Sequence, residues 1–591
     1  MRLVSLLLLL AATASAQPVE LAIDVSGVPL PPGATVGVRG DTPPLAWDRS
    51  LPLADPDGDG TFTGTVELSG EAPVAYKVVV AAPGEELRWE PGDNRLLLPG
   101  RMARDHRAFG GPQVDLPMLT LSQREVARDL AILRQAMETL HPGLRLHNTD
   151  AELLAISNRL NGRAGALVRR YGEAVPLPEL YLAVAEAVAA LRDGHTQVSM
   201  YNQGDRLTAH LYTGADRVPF AFRLVGDRMI VTGDATPDRA LPRGTEILAL
   251  DGRPVSDVLA ALLPYASADG SNDAKRLDLL QVTGVERVAE RFDVIYALLN
   301  RPEGELALDV RTPDGAERSL RLARTTADDR AAVLRERDPS LPRSPDDLLA
   351  YELRDDGTAV LTIGSFATFN MQTDYAAWLT SAFQDMQARG AERLVVDLRG
   401  VAGGMDDAAA LLFAHLLAEP AEVTFWQGST AYDVIPEALR PHVGSWTTDF
   451  YDLRDRVTAV GDGTFALPPR GTVTIEPAPD AFQGPRAVLV DATASSATFY
   501  LAHWIQQTGA APLVGQTTGG SLKGLNAGQM VFLTLPHSGI VVDVPLYASR
   551  PPTPGPDRGV TPDVQVPLDA DAVIAGRDPE LDAALALLTS D

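Results

Sequence analysis

The chain has no cysteine. That excludes a disulfide framework, a thiol nucleophile, thiolate zinc sites and a lipidated cysteine. Basic charge is also short: 51 Lys and Arg against 78 Asp and Glu leave a net charge of −27. Such an acidic chain does not suit nucleic acid or an anionic membrane surface as its main partner. Beyond the first residues, no apolar run is long enough to span a bilayer, so the chain is not read as membrane-spanning.

What is present begins with an export signal at 1–16. Met1 and Arg2 give a positive start, Val4 to Ala12 an apolar stretch, and Ala14-Ser15-Ala16 a small-residue cleavage site before Gln17. The expected location is secreted or periplasmic. At 591 residues the chain exceeds one core, and about three to five domains are expected.

Alternating apolar runs separated by Gly, Pro and Asp clusters predict a β-sandwich over 17–112. Asp55-Pro56-Asp57-Gly58-Asp59-Gly60 imitates a calcium loop, but no Glu stands at its twelfth position, so it reads as a turn. A helical cap follows over 119–205, opened by the capping-box pair Ser122 and Glu125. Short strands return over 206–330, and 345–570 alternates strands with helices. That βαβ rhythm predicts a mostly parallel sheet with sites beyond its strand carboxyl ends. Residues 571–591 read as a C-terminal helix.

The chemistry concentrates where a buried strand, Ala487 to Asp491, runs through Thr493-Ala494-Ser495-Ser496 into a helix. A hydroxyl there sits beside orphan backbone N–H groups, which favour developing negative charge. The two serines point about 100° apart, so one faces the cleft, and Ser495, nearer the helix start, is taken as the nucleophile. Considered locally, a serine in this position also serves as a simple helix cap. His503 lies too far along the same helix to act as base, and His141 and His415 read as structural. His195 differs, sitting in the polar turn Asp193-Gly194-His195-Thr196, although a histidine there can also merely close a helix. A third element, Asp397 to Gly404, places glycines after a strand, where backbone N–H groups can approach a ligand.

Asp193-Gly194-His195-Thr196, Asp397-Leu398-Arg399 with Gly403-Gly404, Thr493 to Ser496, Leu513 to Gly520 and Gly559 to Asp563 occur in the order seen in tail-specific and tricorn-type serine peptidases. The chain resembles that family over roughly 119–570. The resemblance implies a multidomain α/β plus β fold: the cap carrying His195, a PDZ-like domain at 206–330, and an α/β catalytic domain of the crotonase-like, processing-peptidase type. It implies Ser495 as nucleophile, His195 as base, and the N–H of Ser496 with Gly403 or Gly404 as the oxyanion hole. Asp557 is the implied acid steadying His195, at a position slightly shifted from the family's Glu. The lysine of the Ser/Lys branch is missing from Thr517 to Ser521, with Lys523 its only nearby substitute. No metal or organic cofactor is implied, and the partner is a peptide or protein substrate. A catalytically silent peptide- or glycan-binding protein, a Ser-Lys processing protease and an esterase remain alternatives. The N-terminal sandwich resembles a starch-binding-type carbohydrate-binding module, with Trp47, Lys77, Trp89 and Asn94 at the matching positions and a glycan as the implied contact.

Overall fold

The computed structural model describes residues 17–589, apart from 26–27, 57, 70–73, 85, 92–93, 98–103, 110–118, 286–289 and 462. The expected export signal, 1–16, lies outside the described residues. The chain divides into two compact units. One holds the residues up to Leu119 together with Gln203–Leu211; the other holds Thr120–Asn202 and everything from Tyr212 onward.

The first unit is built from two sheets. In one, Gln17–Asp24 pairs antiparallel with Thr61–Leu68 and parallel with Arg104–Ala108. In the other, Thr35–Gly40 lies between Leu51–Pro52 and Val74–Ala81, which also pairs with Arg88–Trp89 and Arg95–Leu97. Period-two alternation buries Val36 and Val38 on one strand, and Val19, Leu21 and Ile23 on another. Tyr76 Oη donates to Asp105 Oδ2 at 2.6 Å and ties the sheets together across the core. The Asp55 carboxylate accepts from the N–H groups of Gly58 and Gly60, the hydrogen bonding of a tight turn.

The second unit opens with helix Gln123–Leu140, whose N-terminus carries the Ser122–Glu125 capping box. Helices Asp150–Tyr171 and Leu177–Ala189 follow. An antiparallel sheet runs through Phe220–Val225, Arg228–Asp234, Glu246–Leu250, Leu306–Arg311 and Glu317–Leu322. The short helix Asp273–Asp278 leaves this region toward the α/β part.

In the α/β part, Thr358–Ile363, Arg393–Asp397, Arg486–Val490, Leu513–Gly515 and Val564–Gln565 pair in parallel, and Leu349–Leu353 adds one antiparallel edge. Such strands are covered on both faces, so nearly every residue is apolar. Leu394, Val396, Val488 and Val490 pack in one core with residues of helices Tyr375–Ala388, Asp406–Leu416 and Ala497–Thr508. The alternate residues Val395, Ala487, Leu489 and Val514 pack with Ala584 of helix Pro579–Thr589. A long hairpin, Leu525–Thr534 with Val541–Arg550, then pairs with the short strand Gln197–Val198. That pairing draws the Asp193–Thr196 turn toward residues more than three hundred positions later. Among the described residues no helix is long and apolar enough to cross a membrane.

Candidate active site

Strand Arg486–Val490 ends in a sharp turn before helix Ala497–Thr508, and the two serines of that turn have different surroundings. Ser495 is 2% exposed. Its Oγ donates to the carbonyl oxygen of Ala402 at 3.0 Å and accepts a close hydrogen bond from Lys275 Nζ. Ser496 is half-buried, with φ 53° and ψ −128°. That conformation costs a non-glycine residue about 1–3 kcal/mol and persists only when its surroundings enforce it. A strained serine between strand and helix is a recurrent way to hold a hydroxyl out toward a substrate. No described group hydrogen-bonds the Ser496 side chain at this helix start.

Gly403 enforces the turn. It has φ +118°, and a β-carbon built on it would fall 2.6 Å from Ser496 Cβ. Gly404, at φ +142°, lies against the backbone of Phe366, where a β-carbon would come within 2.0 Å. Phe366 N donates to Gly403 O and Met405 N donates to Phe366 O, which clamps the loop. Among the described residues, the N–H groups of Gly403, Gly404, Ser496 and Ala497 donate to no backbone acceptor. The expected oxyanion residues thus form one cluster with the serine turn, with donors unspent.

Asp491 fastens both loops: its carboxylate accepts from Gly400 N at 2.9 Å and from Thr493 N at 3.0 Å. Burial, with the charge of Asp278 adding to it, pushes the Asp491 carboxyl up to about 7. An unfolded Asp titrates near 3.9. The folded state therefore binds this proton more tightly between about pH 4 and pH 7, and the stability it contributes is lost as pH rises through 7. Asp491→Asn should flatten the decline of unfolding free energy between pH 5 and pH 8, measured by urea denaturation; an unchanged slope would remove Asp491 as its source.

His195 lies half-buried in its turn. Asp193 fixes that turn, accepting from His195 N at 2.8 Å, from Asn526 Nδ2 at 2.8 Å, and pairing with His141 Nε2 at 2.9 Å. Burial pushes the Asp193 carboxyl up, but the hydrogen bond and charge of His141, with His195 beside them, hold it well below the usual range. His195 also acts electrostatically on Asp406, two residues after Gly404.

Asp557 is placed elsewhere than expected. Its Oδ1 faces His147 Nδ1 at 3.0 Å, and its oxygens accept from Ser271 Oγ at 3.3 Å and Ser521 Oγ at 3.2 Å. No hydrogen bond joins it to His195 among the described residues. Burial lowers His147 to about 4, so its ring is neutral near pH 7 and the contact joins loops without forming an ion pair. Lys523 stands half-buried, with its charge acting on His147 and no described contact to either serine.

The lysine that does reach the serine turn is Lys275, which sequence reasoning did not single out. Asn272 caps its short helix, and Asp278 on the same helix accepts from Thr493 Oγ1. A β-carbon on Gly519 would sit 2.7 Å from Lys275 Cδ, so the missing side chain there makes room for the lysine. Burial lowers the Lys275 pKa against the charges of Asp269, Asp278 and Asp491. No local motif marks Lys275, because its partners are supplied by segments some 220 positions away.

In the N-terminal unit, Trp47 and Trp89 are 38% and 40% exposed, their ring centroids 6.2 Å apart and their planes tilted by 44°. Arg39 lies over the Trp89 ring, Lys77 Nζ donates to Glu90 O at 3.4 Å, and Asn94 is half-buried beside Arg95–Leu97.

Residues 357–566 match the family model described as peptidase family S41. No curated protein matches the chain by sequence. Among solved structures, mature CPAF complexed with lactacystin is 15% identical, with a TM-score of 0.53 over 79% of this chain and 97% of that one. Mature CPAF alone is 16% identical, with a TM-score of 0.51 over 76% of this chain and 94% of that one. The photosystem II D1 C-terminal processing protease is 17% identical, with a TM-score of 0.35 over 79% and 98%. At these identities the likeness to CPAF is one of fold.

Proposed function

We propose that the chain is an exported serine peptidase in which Ser496 supplies the attacking hydroxyl and His195 the base. The observation that carries the reading is the enforced backbone of Ser496, φ 53° and ψ −128°, against Gly403. The family S41 match over 357–566 supports peptide hydrolysis as the reaction class. Ser495 was the expected nucleophile, but its hydroxyl is buried and committed to Lys275 and Ala402, so it is assigned to holding the oxyanion loop.

In this mechanism Ser496 Oγ attacks the peptide carbonyl carbon while its proton passes to a ring nitrogen of His195. The carbonyl oxygen becomes an oxyanion facing the N–H groups of Gly403, Gly404 and Ala497. Collapse breaks the C–N bond, and the imidazolium returns the proton to the leaving amine. Water, deprotonated by His195, then hydrolyses the acyl-enzyme. Lys275 Nζ donates to Ser495 Oγ, whose own hydrogen goes to Ala402 O.

The decisive experiment is cleavage of casein or a fluorogenic peptide library by the wild type and by Ser496→Ala and His195→Ala. Loss in both variants supports the enzyme; absence of turnover by the wild type on every peptide pool sinks it and favours a silent binding protein. Comparing ester with amide substrates separates an esterase. Gly403→Ala should lower kcat by about 10²-fold, the usual cost of losing an oxyanion donor, because the new β-carbon displaces Ser496; equal kcat would remove the loop from the mechanism.

The N-terminal unit takes a separate test. Its two neighbouring exposed indoles support a sugar-stacking surface. Soluble starch should quench tryptophan fluorescence in the wild type but not in a Trp47→Ala/Trp89→Ala double variant; no quenching in the wild type removes the glycan from the proposal.

A further inference from the structure

Asp269 is 2% exposed, and its Oδ1 accepts from Gly194 N at 3.0 Å. Among the described residues its Oδ2 has no hydrogen-bond partner, and neither does the buried Nδ1 of His195. A ring nitrogen of His195 and carboxylate oxygens of Asp269 and Asp193 lie within 4.8 Å of one another. A buried acceptor and a buried ring nitrogen, both unspent and on neighbouring residues, are each costly unless some state of the site joins them. Hydrogen bonds of this kind are often long in the absence of substrate and tighten when the reacting group arrives.

The residue before His195 is built for this approach. A β-carbon on Gly194 would sit 2.6 Å from Asp269 Oδ2, so only glycine lets the carboxylate stand against the turn. Asp193 is already committed to His141, Asn526 and the His195 backbone. Asp557 is committed to the His147 side. Of Asp193, Asp557 and Asp269, Asp269 is therefore the one with a buried carboxylate oxygen that no described group hydrogen-bonds.

We infer that Asp269, carried by the segment just before helix Asp273–Asp278, is the positioning residue for His195, holding its Nδ1–H so that Nε2 faces Ser496. This rests on the serine peptidase reading and adds its orienting acid. The segment 269–278 then supplies two parts of the site, Asp269 behind the base and Lys275 beneath the serine turn. As His195 takes the Ser496 proton, the Asp269 carboxylate stabilises the imidazolium.

The charged groups acting on His195 are Asp193 on its own turn, Asp269, and Asp406 at the start of helix Asp406–Leu416; Lys275 acts in turn on Asp269. Removing the Asp269 charge destabilises the imidazolium, so the base becomes neutral at lower pH. Asp269→Asn in the full chain should lower kcat by about 10² to 10⁴-fold with little change in KM. It should also move the acidic limb of the kcat/KM–pH profile about one unit toward acid. Gly194→Ala, which pushes the carboxylate away without deleting it, should shift the limb the same way. Asp557→Asn should leave the limb in place.

A merely structural role would lower the melting temperature and the amount of active protein without moving the limb. If Asp269→Asn does not fold, Gly194→Ala carries the test by itself. An unmoved limb in every variant that folds, with His195→Ala inactive, overturns Asp269 as the positioning residue while leaving the peptidase reading intact. If His195→Ala retains wild-type activity, the reading of the base itself fails.

Discussion

Ser496→Ala is expected to lower kcat for peptide hydrolysis by at least about 10³-fold, because it removes the hydroxyl that makes the covalent attack. Ser495→Ala, one position earlier, should cost about tenfold. The contrast follows from geometry: Ser495 Oγ is 3.0 Å from Ala402 O and capped by Lys275, whereas Ser496 stands in a strained turn without a described side-chain partner. The Ser495 variant loses one link between the serine turn and the Ala402–Gly404 loop, loosening the oxyanion donors without removing the nucleophile. Active-site titration with a serine-directed phosphonate gives a second readout. The label should attach in Ser495→Ala and be absent in Ser496→Ala. Labelling in the opposite pattern would return the nucleophile to Ser495 and make Lys275 its activating partner.

The second large effect is on stability. Lys275 is 5% exposed and acts on the buried carboxyl groups of Asp269, Asp278 and Asp491. Lys275→Met should destabilise the chain by about 3–5 kcal/mol, the usual result of deleting one member of a buried charge cluster. Most of that loss is the cost of acids left without their cation. Adding Asp278→Asn should therefore recover part of it, giving a coupling of about 1–3 kcal/mol in a double-mutant cycle. Urea denaturation measures both. A Lys275→Met chain as stable as wild type would mean that these acids are protonated in the folded protein and need no partner. A purely additive double variant would place the lost stability in packing against Gly519 instead.

Much of the α/β architecture was legible because its strands are apolar on both faces and end in glycine- or serine-rich turns. Asp397 to Gly404 and Asp491 to Ser496 carry that pattern locally, and the structure brings them into contact through Gly403 and Ser496. The turn at Asp193–Thr196 was legible for its polar residues and glycine, although the reason for Gly194 was not: it clears space for Asp269. The choice between Ser495 and Ser496 was read from helical spacing, a rule that assumes helical backbone. Ser496 does not have it: its backbone is strained, while the Ser495 hydroxyl is buried against Lys275 and Ala402.

Asp557 was chosen by its nearness to a motif along the chain. Its carboxylate instead closes a clasp with His147, Ser271 and Ser521, three residues from three distant segments. Asp269 and Lys275 went unnoticed for the complementary reason. They lie in an ordinary polar stretch, Asp269 to Asp278, that resembles any capped surface helix until distant segments of the chain cover it.

By itself the sequence determined where strands turn into helices, which loops are glycine-built, and that cysteine chemistry is closed to this protein; these follow from local backbone preference and residue inventory. Tertiary structure alone decided that Ser495 is buried while Ser496 is strained, that Asp269 lies against the turn of His195, and that a buried lysine reaches the serine turn. Those choices depend on burial and charge pairing between stretches hundreds of positions apart, and no local pattern encodes the electrostatics of a partner that only folding supplies.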